Sequence, residues 1–178
     1  MTDRWKAPSE SRVRRAAVTD AESIAAVHVR AWRAAYRTLL PPAVLDQVDA
    51  ASRSRQWRTH IESGAREVLV AVTEDGIVGF CSLAPSRDAG APATCGEITA
   101  LYVEPSSWRR GHGRGLIAAA RDHAAARGWT ELTLWVLSSN QPAREFYVSL
   151  GFEHDGAEKN ESEPSLAEAR YRFLVLGC

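Results

Sequence analysis

The chain has 178 residues, of which 45% are hydrophobic and 25% are charged, the usual balance of a globular domain with a sizeable core. Lys plus Arg equals Asp plus Glu at 22 each, so the formal net charge is zero. This balance disfavours non-specific nucleic-acid binding, which requires an excess of cationic side chains.

The N-terminal residues are polar and lack the apolar stretch of a signal peptide. We therefore expect a disordered tail over residues 1–12 and a single domain over residues 13–178. No later run approaches membrane-spanning length, so no membrane partner is expected. Cys81, Cys95 and Cys178 are odd in number and widely spaced, which is typical of free thiols in a reducing compartment. The sequence thus favours a cytoplasmic protein without a metal site.

The first half of the chain predicts helices followed by a β-hairpin. Thr19 and Glu22 have the spacing of a capping box, so a helix should begin at about Asp20. Asp75-Gly76 lies between two apolar runs and is a strong hairpin signal. The predicted elements are a strand from Val13 to Val18, helices from Asp20 to Arg37 and from Ala51 to Glu62, and strands from Glu67 to Val72 and from Ile77 to Leu83.

The second half predicts alternating strands and helices. Pro142 favours a first helical turn beginning near Asn140, and Gly151 favours the end of that helix. The other predicted elements are strands from Glu97 to Val103, from Glu131 to Leu137 and from Arg170 to Leu176, and a helix from Leu116 to Arg127. This order indicates an α/β or α+β fold with a mixed sheet.

A glycine-rich segment lies between a predicted strand and a predicted helix. Its glycines, Gly111, Gly113 and Gly115, alternate with other residues, so backbone N–H groups could converge on an anion. The positive end of the following helix dipole faces the same point. The segment also contains Arg109, Arg110, His112 and Arg114. These features favour pyrophosphate binding, and the alternative is that the glycines only form a tight turn.

Two other phosphate-binding motifs do not match this segment. A P-loop requires Gly-Lys-Ser/Thr at its end, which is missing here. A dinucleotide fingerprint reads Gly-x-Gly-x-x-Gly, and Gly115 comes one position too early for it.

The same segment resembles the Arg/Gln-x-x-Gly-x-Gly/Ala signature of the GCN5-related N-acetyltransferase (GNAT) superfamily, matched by Arg110, Gly113 and Gly115. Glu97 to Pro105 is similar to that family's fourth strand, and Asn140 to Phe152 to its second signature. The resemblance extends from Val13 to Leu176. It implies a mixed, mostly antiparallel sheet of about six to seven strands, flanked by helices, with a V-shaped splay between the fourth and fifth strands.

The resemblance also implies acetyl-coenzyme A as co-substrate and no metal. The backbone of Leu101, Tyr102 and Val103 would pair with the pantetheine arm, and an N–H there would polarise the thioester carbonyl. The main-chain amides from Arg110 to Gly115 would bind the pyrophosphate. Asn140 would contact the arm, or would be only a helix N-cap.

Two residues receive catalytic roles from the resemblance. Tyr147 would protonate the departing thiolate, and its alternative role is a core aromatic. Glu97 would be the general base that deprotonates the amine, and its alternative role is a solvated strand end. Trp32 and Tyr36 would border the acceptor site, although core packing also explains them.

The most favoured function is direct transfer of an acetyl group to a primary amine of a small molecule or peptide. A catalytically silent sensor of acetyl-CoA or CoA, and a nucleotide-binding protein, are the alternatives. The last predicted strand could support a homodimer, as in many members of the family.

Overall fold

The computed structural model describes residues 11–46, 48–159 and 167–175. These residues form a seven-stranded sheet in the order β1-β2-β3-β4-β5-β7-β6. The strands are β1 (Arg12–Arg15), β2 (Glu67–Thr73), β3 (Gly76–Pro85), β4 (Cys95–Val103), β5 (Glu131–Leu137), β6 (Glu153–Lys159) and β7 (Glu168–Leu174). The helices are α1 (Ala21–Tyr36), α2 (Pro42–Leu45), α3 (Ala50–Ser63), α4 (His112–Ala126) and α5 (Gln141–Ser149).

The strand pairing confirms the predicted mixed, mostly antiparallel sheet. Only β4 and β5 pair in parallel among the described strands, and the other neighbours are antiparallel. The sequence missed β6 and the short helix α2. The predicted tail falls largely on residues 1–10, which lie outside the described residues, while Arg12 already belongs to β1.

The predicted capping box was wrong. A 3-10 turn, Val18–Asp20, precedes α1, and Asp20 makes no side-chain bond to the helix that follows it. The Asp20 carboxylate instead accepts the main-chain N–H of Ala17 at 2.7 Å. The helix nevertheless begins close to the predicted position, with Asp20 as N-cap and Ala21 as its first residue.

Helices cover both faces of the sheet. On one face α4 contributes Leu116, Ile117 and Ala120 to a cluster that includes Leu83 and Leu132 of the sheet. On the other face the residues in contact come from α1, α3, β2 and β3: Ile24, Ala25, Trp57, Val70 and Phe80. The central strands β3 and β4 are thus buried between helices, and any opening in the sheet leads into the interior.

Such an opening lies between β4 and β5. These strands pair only over Cys95–Ile98 and Glu131–Leu134. Directly beyond this point β4 carries a bulge, since Ser82 of β3 lies opposite Ala100 and Leu83 lies opposite Ile98, which leaves Thr99 as an extra residue. A bulge bends its strand, and the rest of β4 has β3 as its only neighbour. The V-shaped splay is confirmed.

The direction of the peptide groups in the splay follows from the ladder with β3. The N–H of Glu104 donates to the carbonyl of Val78 at 2.8 Å, in the register of the antiparallel pair. Alternate residues of such a strand bond to the same neighbour, so Tyr102 also directs its peptide groups toward β3. Leu101 and Val103 direct theirs into the splay.

Substitution of Gly96 should destabilise the fold where β4 and β5 still pair. A Cβ at Gly96 would lie 2.0 Å from the Trp129 ring, so Gly96→Ala should lower the free energy of unfolding by about 1–3 kcal/mol, measured by urea denaturation. Gly115→Ala is the matched control, because its Cβ would meet only Val13 at 3.7 Å. Equal stability of Gly96→Ala and the wild type would contradict this packing.

Candidate active site

A cleft of about 160 Å³ occupies the splay. One wall is β4 with the turn that follows it, the opposite wall is β5 with α5, and α1 covers one end. The lining residues are Ala31, Ala35, Tyr36, Ile98, Leu101, Tyr102, Val103, Trp108, Leu134, Trp135, Val136, Asn140, Ala143 and Tyr147. The cleft is therefore narrow, largely apolar and rich in aromatic side chains.

Six of the sequence-predicted site residues meet in this cleft: Leu101, Tyr102, Val103, Asn140, Tyr147 and Tyr36. Tyr102 lines it through its side chain, because its peptide groups face β3. Trp32 does not line the cleft but packs behind Tyr36, with ring centroids 4.3 Å apart. The sequence did not identify Trp108 and Trp135, since neither belongs to a recognised motif.

A polar group lies where α1 meets β4 and the start of α5. It consists of Tyr36, Tyr102 and Asn140. Burial raises the pKa of Tyr36, while interactions with the side chains of Tyr102 and Asn140 oppose the shift. Burial also raises the pKa of Tyr102 well above its ordinary value. Both phenols therefore remain protonated at neutral pH. They can serve as hydrogen-bond donors to a molecule in the cleft.

Asn140 has the structural role that the sequence offered as an alternative. Its Oδ1 accepts the main-chain N–H of Ala143 at 3.3 Å and caps α5. The residue is 8% exposed and still lines the cleft. Capping and contact with a ligand are compatible, because the amide group retains its N–H donors.

Tyr147 extends from α5 into the cleft beside two other aromatic rings. Its ring centroid lies 5.4 Å from that of Phe146 and 5.8 Å from that of Phe152. Burial raises the pKa of its phenol above the ordinary value. The hydroxyl is therefore a proton donor over the whole physiological range.

Glu97 is not a solvated strand end. It is 2% exposed, and Arg87 from the β3–β4 loop holds both of its carboxylate oxygens, with Nη2 at 2.5 Å from Oε1 and Nε at 3.2 Å from Oε2. The main-chain N–H of Arg87 also donates to Oε2 at 3.1 Å. Glu97 does not line the cleft, although its neighbour Ile98 does.

The β3–β4 loop is attached to the far half of the sheet through Asp88. Its carboxylate accepts Trp135 Nε1–H at 3.1 Å and Arg170 Nη1–H at 2.9 Å, with Lys159 Nζ 3.6 Å away. Burial acts to raise the pKa of Asp88, but the bond from Arg170 and the charge of Lys159 outweigh it and lower the pKa. The loop thereby fixes the indole of Trp135 in the cleft wall.

The glycine-rich segment is mostly helix and not loop. Helix α4 begins at His112, and Gly111 is its N-cap, with a φ of +89° and no side-chain bond to the helix. His112, Gly113 and Arg114 thus lie in the first helical turn, where main-chain N–H groups lack intrahelical partners, whereas the N–H of Gly115 already donates to the carbonyl of Gly111 at 2.9 Å. Arg109, Arg110 and Arg114 are exposed around this helix start. The helix start and the three arginines make the outer end of β4 electropositive, which is the character that an anion site requires.

The three glycines have different structural roles. Gly111 has the left-handed conformation that favours glycine. A Cβ on Gly113 would lie 3.1 Å from the Phe146 ring and 3.8 Å from Val103, so this glycine brings the start of α4 against α5 and β4. A Cβ on Gly115 would make only ordinary contact with Val13. Close packing therefore explains Gly113, in addition to any ligand.

His112 is buried at the same helix start. It is 3% exposed, and its Nδ1 has no hydrogen-bond partner among the described residues. Burial lowers the pKa of this histidine, and the charge of Arg110 lowers it further. A neutral imidazole with an unpartnered nitrogen, next to free helix N–H groups, fits a site that receives a polar ligand.

His28 belongs to the wall behind Tyr102. Its ring is stacked on Tyr102 with a centroid distance of 4.6 Å, and its Nδ1 accepts Trp57 Nε1–H at 3.3 Å. Burial lowers the pKa of His28 to about 4, with the charge of Arg53 adding to the effect. This bond places the ring proton on Nε2, so Nδ1 is not free to accept a substrate proton.

The fold and the cleft together define an acyl-transfer enzyme of the acetyltransferase class. Residues 27–152 match the profile described as Acetyltransferase (GNAT) family. The chain belongs to this family. It is 32% identical over 166 residues to the uncharacterized N-acetyltransferase YuaI of Bacillus subtilis, covering 93% of this chain and 91% of that protein. It is 30% identical to the probable N-acetyltransferase Rv2775 of Mycobacterium tuberculosis, covering 84% and 83%.

Solved structures have the same fold. The PaiA N-acetyltransferase of Thermoplasma acidophilum, in complex with coenzyme A, superimposes with a TM-score of 0.73 at 18% identity, over 92% of this chain and 99% of that one. YncA of Salmonella typhimurium, a putative acetyltransferase with its cofactor acetyl-CoA, gives 0.71 at 21% identity, over 96% of each chain.

Within the described residues, none of the helices has both the length and the apolar character that crossing a membrane requires. The same residues contain no group of three or more His, Cys, Asp or Glu side chains placed to hold a metal ion.

The depressed pKa of His28 predicts a pH dependence of stability. Between pH 6.5 and about 4 the unfolded chain binds a proton at His28 that the folded protein does not bind. The free energy of unfolding should therefore fall as the pH decreases through this window, by roughly 3 kcal/mol in total at about 1.4 kcal/mol per pKa unit. Chemical denaturation of wild type and His28→Phe at several pH values checks this, because the other histidines are common to both. A constant difference between the two proteins would contradict it.

Proposed function

We propose that the protein transfers the acetyl group of acetyl-CoA directly to a primary amine of a small molecule or peptide. The observation that supports this most strongly is the splay, in which the peptide groups of Leu101 and Val103 face a cleft that Tyr147 also lines and have no partner strand. An amide-containing arm could add to β4 there as a further strand does. Acetyl-CoA supplies an acyl group already activated as a thioester.

The residues at the two ends of the cleft fit such a molecule. The first turn of α4, from His112 to Arg114, would hold the pyrophosphate through main-chain N–H groups, with Arg109, Arg110 and Arg114 around it. Gly111 permits this turn through its positive φ. Leu101 and Val103 would bind the pantetheine arm, and the amide of Asn140 would contact it from β5.

Each chemical step of the transfer can then be assigned to a residue of the chain. A main-chain N–H of β4, from Leu101 or Val103, would polarise the thioester carbonyl as negative charge develops on its oxygen. The phenol of Tyr147 would give its proton to the departing sulfur, since its raised pKa keeps it protonated. Direct transfer needs no cysteine nucleophile, and burial raises the pKa of Cys81 to about 12.

Glu97 would remove the amine proton, and its place next to the cleft is the observation that supports this role. Glu97 lies one residue before Ile98, which lines the cleft, but its carboxylate is bound to Arg87. Proton transfer would therefore run through a water molecule or follow movement of Arg87. Tyr36 and Trp135 would border the amine, with Trp32 supporting Tyr36 from behind.

Loss of the Tyr147 hydroxyl should affect turnover more than binding. We expect Tyr147→Phe to lower kcat by about 10²-fold or more, with little change in the KM for acetyl-CoA. Thiol release from acetyl-CoA with a panel of amines measures both constants. Val148→Ala is the matched control, because Val148 is on the same helix and 56% exposed. Tight binding of acetyl-CoA by the wild type without turnover on any amine would instead favour a catalytically silent sensor. A fully active Tyr147→Phe would show that Tyr147 is not the acid.

Two variants separate a base from a structural ion pair at Glu97. Glu97→Gln should lower kcat most at low pH, where more of the amine is protonated. Arg87→Met removes the same ion pair but keeps the carboxylate, so it should retain more activity than Glu97→Gln. The comparison uses pH profiles of kcat together with thermal unfolding. Equal losses of stability in both variants, with kcat unchanged, would show that the pair is only structural.

A further inference from the structure

Trp108 folds back across the mouth of the cleft. Its indole Nε1–H donates to the carbonyl of Val103 at 2.6 Å, and its side chain lines the cleft. The residue is nevertheless 45% exposed, so the ring is not fixed by burial in the core. This contact has no part in the proposed chemistry.

The carbonyl that Trp108 binds faces the splay, as does that of Leu101. A strand edge with unpaired peptide groups attracts other backbones and is normally covered. The indole covers this edge at Val103. An amide of an incoming arm would need the same position.

The backbone next to Trp108 is in an unfavourable conformation. Arg109 has a φ of +59° and is the only residue other than glycine with a positive φ in the described part of the chain. This conformation is costly for a residue with a Cβ atom. It directs the chain back toward α4 while the preceding indole reaches Val103. The hydrogen bond to Val103 is thus one contact that holds the turn.

We propose that Trp108 is a removable substitute for the pantetheine arm, and that it sets the affinity for acetyl-CoA by competing for Val103. This inference depends on the proposed function. A carbonyl oxygen can accept two hydrogen bonds, so the bond alone would not exclude the pantetheine arm. Because the indole ring also lies in the cleft, Trp108 and the arm cannot both occupy the position at Val103. Release requires only rotation of one exposed side chain.

The competition predicts that the affinity for acetyl-CoA rises when the indole N–H of Trp108 is removed. Trp108→Phe keeps an aromatic ring but loses the N–H, so the ligand-free protein loses one hydrogen bond that the complex does not contain. The Kd for acetyl-CoA, measured by isothermal titration calorimetry, should fall about fivefold, which corresponds to about 1 kcal/mol at 1.4 kcal/mol per tenfold. The Tm of the ligand-free variant should fall, while the Tm at saturating acetyl-CoA should not change. Trp129→Phe, in the core beside Gly96, should leave the Kd unchanged.

Tryptophan fluorescence tests the movement itself. Pantetheine, which contains the arm without the nucleotide, should change the emission of the wild type more than that of Trp108→Phe, in which Trp135 is still an indole of the cleft wall. Adenosine 3′,5′-diphosphate lacks the arm and should cause no such change. Weaker or equal binding by Trp108→Phe, or the same fluorescence change in both proteins, would overturn the inference and leave the proposed function intact. Absence of acetyl-CoA binding by the wild type would overturn both.

Discussion

The architecture depends on the divergence of two parallel strands. β4 and β5 share a short paired region, and the bulge at Thr99 comes directly after it. Beyond the bulge, the sheet gives up several strand-to-strand hydrogen bonds, which buried peptide groups rarely do. Helices pack on both faces of this sheet. The protein thus maintains an incomplete sheet whose missing strand can be supplied by another molecule.

The two ends of the cleft are built by different means. The outer end uses main-chain groups of Val103 and the first turn of α4, positioned by glycines and by packing against Phe146. The inner end uses side chains from several elements, among them Tyr36 and Trp135. Ligand recognition through main-chain groups would tolerate the substitution of side chains. Recognition through side chains would change with each substitution.

Much of this could be predicted from the sequence. The hairpin at Asp75-Gly76, the strand Glu131–Leu137 and the helix start beside the glycines all follow from local patterns. The chain also brings six of the predicted cleft residues together. These signals are local, because turn chemistry and glycine spacing operate within a few residues.

What could not be predicted depends on contacts between distant residues. The pairing of Glu97 with Arg87 crosses a loop, and the role of Asp88 depends on Lys159 and Arg170 from strands much later in the chain. β6 is exposed along much of its length and lacks an apolar pattern. The Trp108 bond lies next to a left-handed Arg109, a conformation that sequence patterns do not predict for a residue with a Cβ atom.

The attachment of the β3–β4 loop through Asp88 has an evolutionary consequence. One carboxylate connects the indole of Trp135 with cations from β6 and β7, so the shape of the inner wall is determined by a few polar side chains outside the core. Mutations in this loop can reshape the inner wall while the main-chain contacts at the outer end persist. New acceptor preferences could therefore arise in descendants of this protein without any change in the first turn of α4.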